Sequence, residues 1–244
     1  MTFSEAREGQ PELSVVIPAF NEERRLPPSL RQIEAYLRAS DRHSELIVVD
    51  DGSSDGTAEA VDGLIRDGLR LHLLRHQNNQ GKGAAVRTGI MAATGRLVLF
   101  TDADLSTPIA DLERLVQALD AGADVAIGSR AIDRSLIEVH QPLHRETMGR
   151  IFNKFVQVVL LPGIRDTQCG FKAFHTEAAR QLFSTMITTG FDFDAEILYR
   201  ARRRNMRIAE VAVHWRNSPD SRVSAIRDSV GMFLSLFRVR RRVR

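Results

Sequence analysis

The chain has 244 residues, 43% hydrophobic and 27% charged, with 16 Gly, 8 Pro and one cysteine. That mixture suits one large α/β domain or two small ones, and it excludes a disordered polymer, a collagen-like repeat and a disulfide scaffold. Cys169 has no partner for a disulfide and no companions for a multi-cysteine zinc site, so a reducing, cytoplasmic setting is expected.

The net charge of +3 is unevenly placed: residues 222–244 hold seven Arg against one Asp, a net +6 that leaves −3 for the rest. An acidic body with a basic end argues against nucleic acid as a partner and for a local anionic one, such as a membrane surface. The opening MTFSEAREGQPEL carries acids and no apolar core, so residues 1–12 read as a polar leader and not a secretory signal. No apolar run approaches the roughly 20 residues of a bilayer span. A protein that lies on a membrane without crossing it is expected, peripheral to the cytoplasmic face.

In chain order, 13–17 is a β-branched apolar run ended by Pro18, which reads as a buried strand. Pro28 and Ser29 open a helix that puts Leu30, Ile33 and Leu37 on one face. A strand at 46–49 ends in Asp-Asp-Gly-Ser-Ser-Asp-Gly, and a helix at 57–65 and a strand at 69–74 follow. Residues 81–93 read as a loop entering a helix, 97–100 as a strand closed by Thr101-Asp102, 109–119 as a helix and 124–127 as a short strand. Beyond residue 130 the pattern loosens: helices at 147–161 and 195–204, a polar loop at 165–172, a strand at 208–215, and an amphipathic helix at 224–238. Strands alternating with helices at this pitch predict an α/β domain over 13–221, with a mostly parallel central sheet and helices on both faces, followed by a basic amphipathic segment at 222–244.

In such sheets ligands bind beyond the carboxyl ends of the strands, where three polar clusters fall: Asn21-Glu22, Asp50-Asp51 and Asp102-Ala103-Asp104. Two carboxylates directly after an apolar strand supply hard oxygen ligands for Mg²⁺ or Mn²⁺, with the remaining oxygens coming from a phosphorylated ligand. A carboxylate at 50–51 can accept from a base N–H, although a tight turn would use the same residues. Asn79-Gln80-Gly81-Lys82-Gly83 has a phosphate-loop composition without the Walker spacing, which excludes a P-loop NTPase. Asp192, Asp194 and Glu196 are either first-turn acids of a helix or acids facing an acceptor. The seven His show no metal spacing.

Taken together and in order, Val16–Glu22, Val48–Ser53, Gly81-Lys82-Gly83 and Asp102-Ala103-Asp104 resemble glycosyltransferase family 2. Gly128-Ser129-Arg130, Asp166–Lys172, Phe193–Glu196 and Ile208–Trp215 narrow the resemblance to its dolichyl-phosphate β-glucosyltransferase branch, over roughly residues 13–240. The resemblance implies a GT-A fold (a single Rossmann-like domain) and inverting transfer of a hexose, with UDP-glucose favoured, to a polyprenyl or dolichyl phosphate. It places Pro18, Phe20, Glu22, Val49, Asp51, Lys82 and Ala103 at the donor, and Asp102 and Asp104 at the metal and diphosphate. Arg130 falls near the phosphates or the acceptor head group, with Asp194 and Glu196 completing the catalytic set. Arg150 and Lys154, four apart on one predicted helix face, are candidates for the acceptor phosphate, together with Arg145 and Arg130. Leu105-Ser106-Thr107-Pro108 looks more like prokaryotic relatives, which sets a bacterial or archaeal polyprenyl phosphate beside dolichyl phosphate as the expected acceptor. The readings held against this one are a family 2 transferase using GDP-mannose or a soluble or glycan acceptor, and a nucleotide-binding interaction protein without catalysis.

Overall fold

The computed structural model describes residues 9–40, 42–139, 143–217 and 227–243; within it, only the backbone is described for 143–145, 148, 152 and 227–234. Seven strands form the main sheet: β1 (Leu13–Ala19), β2 (Ser44–Asp50), β3 (His72–Arg75), β4 (Leu97–Thr101), β5 (Val125–Ser129), β7 (Phe171–His175) and β8 (Ile208–Ala212). Their order is β3-β2-β1-β4-β7-β5-β8, and a small second sheet pairs β6 (Ile137–Val139) with β9 (Trp215–Arg216). Only β7 runs antiparallel to its neighbours β4 and β5; the other pairings are parallel.

Strands β1, β4 and β5 are buried along their whole length, because helices cover both faces, the condition under which parallel strands are apolar throughout. Strand alternation sorts the core into two layers. Val15, Ile17, Leu97 and Leu99 face the layer under α1 (Leu26–Ala39), α2 (Thr57–Arg66) and α4 (Leu112–Asp120). Val16, Val98 and Phe100 face the layer under α3 (Lys82–Ala92), α5 (Leu143–Val159), α6 (Thr176–Phe183), α7 (Phe193–Arg203) and α8 (Arg227–Arg242). Phe100 is the hub of the second layer, with its ring 5.6 Å from Phe193 and 6.5 Å from Phe174.

The expected mostly parallel sheet is present, with three corrections. Residues 171–175 form a central strand and 176–183 a helix, where the sequence reading has a polar loop through Lys172 and no element between it and the helix at 195–204. Residues 208–215 do not make one strand: the chain leaves the main sheet after Ala212 and enters the small one at Trp215. The last helix runs to Arg242, and Leu236, Val239 and Val243 are buried in the second core layer. Leu236 therefore anchors α8 to the body. Residues 1–8 of the leader, the stretch 218–226, and the side chains of Val230, Met232, Phe233 and Leu234 lie outside the described residues.

Candidate functional site

The sheet order reverses between β1 and β4, and a cleft opens at such a switch point beyond the strand ends. Pairing of β1 to β4 stops at Val16↔Phe100, whereas pairing to β2 continues to Ala19↔Asp50. Pro18 is tolerated for that reason: beyond Val16 the strand is free on its β4 side, and no ladder bond is lost to the missing N–H. Phe20, the first residue past β1, is 39% exposed at this opening. Asp102 follows the last residue of β4, and Asp104 lies two residues further on.

The loops around the cleft are held by side chains that the sequence reading assigned to ligands. Asn21 adopts a left-handed φ of 56°, and its Oδ1 accepts from the Ser54 and Asp55 N–H groups at 2.8 and 3.3 Å. Glu22 is paired with Arg25, whose Nε donates at 2.7 Å. Asp51 is 2% exposed; it accepts from the backbone N–H of Gln80 at 3.0 Å and of Gly81 at 2.8 Å, and meets His76 Nδ1 at 2.6 Å. Asp51 thus latches the 76–81 loop to the end of β2. Gly52 (φ 70°) permits the close approach, since a Cβ there would lie 2.5 Å from the Asn78 carbonyl carbon. Pro18, Val49 and Ala103 are buried, with Ala103 in the first core layer and Val49 in the second.

Lys82, at the first turn of α3, places its ammonium 2.6 Å from Asp102 Oδ1 and 5.8 Å from the centre of the Phe191 ring. Asp102 Oδ1 is buried and has no aligned hydrogen bond, so this contact is a charge pair. Asp104 Oδ1 accepts from the Ser106 N–H at 3.0 Å. Below them lies a second pair: Lys172, 1% exposed, donates to Asp194 Oδ1 at 2.6 Å and to the Cys169 carbonyl at 2.5 Å. Burial would lower the Lys82 ammonium, but the carboxylates of Asp102, Asp194 and Asp104 outweigh it and hold its pKa above the ordinary lysine value. Burial pushes the Asp194 carboxyl up, and the two lysines offset only part of that push.

On the far side of Asp102, Arg130 forms a two-pronged bond to Asp166 at 2.6 and 2.8 Å, with its guanidinium over the Trp215 ring at 5.4 Å. Burial would raise the Asp166 carboxyl, yet Arg130 beside it brings it down to about 2. Glu210 completes the arrangement by accepting from Ser129 Oγ and the Asp166 N–H, each at 2.7 Å.

Some expected site residues are thus brought together and others are not. Asp102, Asp104, Lys82 and Asp194 form one electrostatic cluster, with Arg130 next to it. Glu196 does not join them. It is 0% exposed and accepts from the Ile187 and Thr188 N–H groups, Thr188 Oγ1 and Arg200, so it fastens the 187–188 turn and leaves no group for an acceptor. Arg150 is exposed and bonded to Glu146 at 2.5 Å; Glu146 also takes Arg134 at 2.6 Å. Lys154 is exposed on the same helix, and the Arg145 side chain lies outside the described residues. Sequence reasoning gave no role to Lys172, Asp166 or Glu210. The available signal was a lysine inside the apolar run Phe171-Lys172-Ala173-Phe174, which demands a buried counter-charge.

The model of glycosyl transferase family 2 matches residues 14–183. Among curated proteins, the chain is 36% identical over 241 residues to a dolichyl-phosphate beta-glucosyltransferase of Dictyostelium discoideum, covering 93% of this chain and 73% of that one. It is 36% identical over 217 residues to the human protein of the same name, covering 84% and 67%. Among solved structures it resembles glucosyl-3-phosphoglycerate synthase from Mycobacterium tuberculosis in complex with UDP, with a TM-score of 0.68 at 23% identity over 93% of this chain and 80% of that one. The expected GT-A fold is therefore present. With the acidic pair set at the switch point of that fold, the chain belongs to glycosyl transferase family 2 and is a glycosyltransferase.

Proposed function

We propose that this enzyme transfers a hexose, glucose from UDP-glucose, to a polyprenyl or dolichyl phosphate with inversion, working from the cytoplasmic face of a membrane. The observation that carries the reading is the meeting of Lys82 with Asp102, with Asp104 acting on the same ammonium, in a chain 36% identical to dolichyl-phosphate beta-glucosyltransferases. Phe20 offers a ring at the rim for the donor base, and Lys82 an ammonium for its diphosphate.

The donor set fits Mg²⁺ or Mn²⁺: two carboxylate oxygens from Asp102 and Asp104 suit a hard cation that takes its other ligands from phosphate and water. Asp102 Oδ1, buried and held by the Lys82 charge pair with no aligned hydrogen bond, supports that fit. When bound, such an ion neutralises charge developing on the leaving diphosphate. The acceptor phosphate monoester has a second pKa of about 6 and is already largely dianionic near neutral pH, so the chain needs no strong base. Its task is to position two anions. Arg130, fixed on Asp166 and stacked on Trp215, keeps a positive charge beside the cluster without swinging freely. Arg150 on α5 shares Glu146 with Arg134, and exposed Lys154 on the same helix adds a positive charge for the acceptor phosphate.

Among the described residues no helix is long and apolar enough to cross a membrane. A surface contact is supported by Phe237, 54% exposed, in a shallow depression of about 290 Å³ lined by Arg238, Arg241 and Arg242. The Phe237 ring meets Phe155 of α5 at 5.8 Å, and Ile151 and Val158 on that helix are 60% and 74% exposed. Apolar groups flanked by arginines match an anionic lipid surface.

The test is a panel of radiolabelled nucleotide sugars with lipid extract and Mg²⁺ or Mn²⁺. Label from UDP-glucose entering the organic phase is the expected result. Label from GDP-mannose alone, or label only in water-soluble product, would overturn the donor or the acceptor assignment.

A further inference from the structure

Around Lys82, the backbone donors of Gly81, Gly83 and Ala84 are spent inward. The Gly81 N–H is given to Asp51, and the Gly83 and Ala84 N–H groups both go to the Thr189 carbonyl at 2.8 and 3.3 Å. A Cβ at Gly81 would lie 2.4 Å from the Thr189 oxygen, so this packing leaves those N–H groups no room to turn outward. The group the loop presents to the cleft is the Lys82 ammonium, and it rests on Asp102.

That position sets up a competition. Asp102, Asp104 and Asp194 face Lys82 and Lys172, one negative charge in excess. A divalent cation arriving at Asp102 meets the Lys82 ammonium 2.6 Å from the oxygen it needs, and like charges at such distances in a partly buried site repel strongly. Among the described residues no group of three or more His, Cys, Asp or Glu side chains could hold a metal. The chain offers a cation two carboxylates, one of them already neutralised by the lysine.

We propose that Lys82 couples divalent-cation binding to nucleoside-diphosphate binding. A diphosphate in the cleft gives the ammonium a new anionic partner, Lys82 leaves Asp102, and the freed carboxylate takes the cation. Because coupling free energies are reciprocal, the cation strengthens the nucleotide by the same factor that the nucleotide strengthens the cation. Lys82 is in this sense a positioning residue that keeps the cation off the enzyme until a nucleotide is present. The inference rests on the reading of Asp102 and Asp104 as the cation site given above.

The experiment titrates Mn²⁺ against the full-length protein, following free Mn²⁺ by electron paramagnetic resonance, with and without saturating UDP. Wild type is expected to bind Mn²⁺ at least tenfold more tightly with UDP. Lys82→Met is expected to bind Mn²⁺ alone at least fivefold more tightly than wild type, and its UDP enhancement should fall at least fivefold. Tighter binding is a gain that a misfolded variant would not give. Lys82→Arg, which keeps the charge, should keep the coupling and provides the control if Lys82→Met folds poorly. Unchanged Mn²⁺ affinity and undiminished enhancement in folded Lys82→Met, or loss of coupling in folded Lys82→Arg, would overturn the role of Lys82. No Mn²⁺ bound by wild type even with UDP would instead overturn the cation site itself.

Discussion

Gly170 lies directly against the Asp102 carboxylate: a Cβ on Gly170 would fall 2.1 Å from Asp102 Oδ2 and 2.4 Å from its Cγ. The carboxylate that ends β4 is therefore set in place by the backbone just before β7, the strand that pairs with β4 along its length. Gly170→Ala is expected to keep the fold, because nothing but a side chain at the cleft has to move. It should lower transfer at least about tenfold, since displacing a charged group by an ångström degrades preorganised electrostatics. Circular dichroism with a transfer assay checks both halves, and full activity in the folded variant would mean that the Asp102 position is not critical.

Asp104 should be less forgiving. It projects from the loop that follows β4, with its carboxylate accepting from the Ser106 N–H at 3.0 Å and the Ser106 carbonyl accepting in turn from the Arg216 N–H at 2.9 Å. Asp104→Ala is expected to fold normally and to lose at least about a hundredfold in transfer, because the leaving diphosphate loses support where its charge develops. Chelation of divalent ions should reduce the wild type to a similar level. Retained activity under either treatment would remove the acidic pair from catalysis.

The carboxylate of Asp51 answers to a different logic. Its bonds to Gln80, Gly81 and His76 hold the loop that carries Lys82. Charge-assisted bonds of this kind are worth roughly 1.5–3 kcal/mol each. Asp51→Ala should lower both the melting temperature and UDP affinity, the latter about tenfold to a hundredfold, because the lysine loses its platform. Calorimetry with UDP and a thermal melt separate the readings: weaker binding at an unchanged melting temperature would make Asp51 a direct donor contact.

The acidic strand ends were legible from sequence because an apolar run followed by carboxylates marks a strand reaching the sheet's ligand edge. Which carboxylates are taken up by backbone N–H groups was not legible. Asp51 and Glu196 have the same chemistry as Asp102, and only the third dimension supplies the N–H groups that consume them. Strand β7 escaped for a related reason: Lys172 interrupts its apolar pattern, and its partners β4 and β5 are distant in sequence. The counter-charge on Asp194, which explains the lysine, lies 22 residues away on another helix. Likewise the face of α8 that Leu236 and Val239 bury was hidden behind a stretch apolar enough to serve either core or lipid.

The Arg130–Asp166 pair gives a pH dependence with a defined sign. Asp166 is depressed from 3.8 to about 2 in the folded protein, with burial opposing and Arg130 outweighing it. Its contribution to stability is therefore complete above the unfolded value of 3.8 and is lost as pH falls toward about 2. Denaturant midpoints should fall across that window, and Asp166→Asn should lower stability at pH 7 and flatten the acid limb. A wild-type midpoint that stays level from about pH 4 down to about pH 2 would show that the pair does not control acid stability.

The surface of α8 separates membrane attachment from folding. Removing residues 238–244 would strip out Val239 and Val243, which are 0% and 4% exposed, so loss of function after truncation would say little about lipid. Replacing the outward groups avoids that fault. Phe237 is 54% exposed, and Arg238, Arg241 and Arg242 line the depression around it. The variant Phe237→Ser with Arg238→Gln, Arg241→Gln and Arg242→Gln leaves Leu236, Val239 and Val243 untouched. Each arginine near an anionic surface is worth about 1 kcal/mol, so the three together should change vesicle affinity by on the order of a hundredfold at low salt. Sedimentation with vesicles containing phosphatidylglycerol measures this, and wild-type binding should weaken in high salt while that of the variant is already weak. UDP affinity should be unchanged, because the substitutions lie on α8, outside the cleft at the ends of β1 and β4. Transfer to a long-chain polyprenyl phosphate in vesicles should fall, whereas transfer to a short, water-soluble prenyl phosphate should persist. Equal sedimentation of the two forms at low salt would place the lipid contact elsewhere, with the exposed Ile151 and Val158 face of α5 as the next surface to substitute.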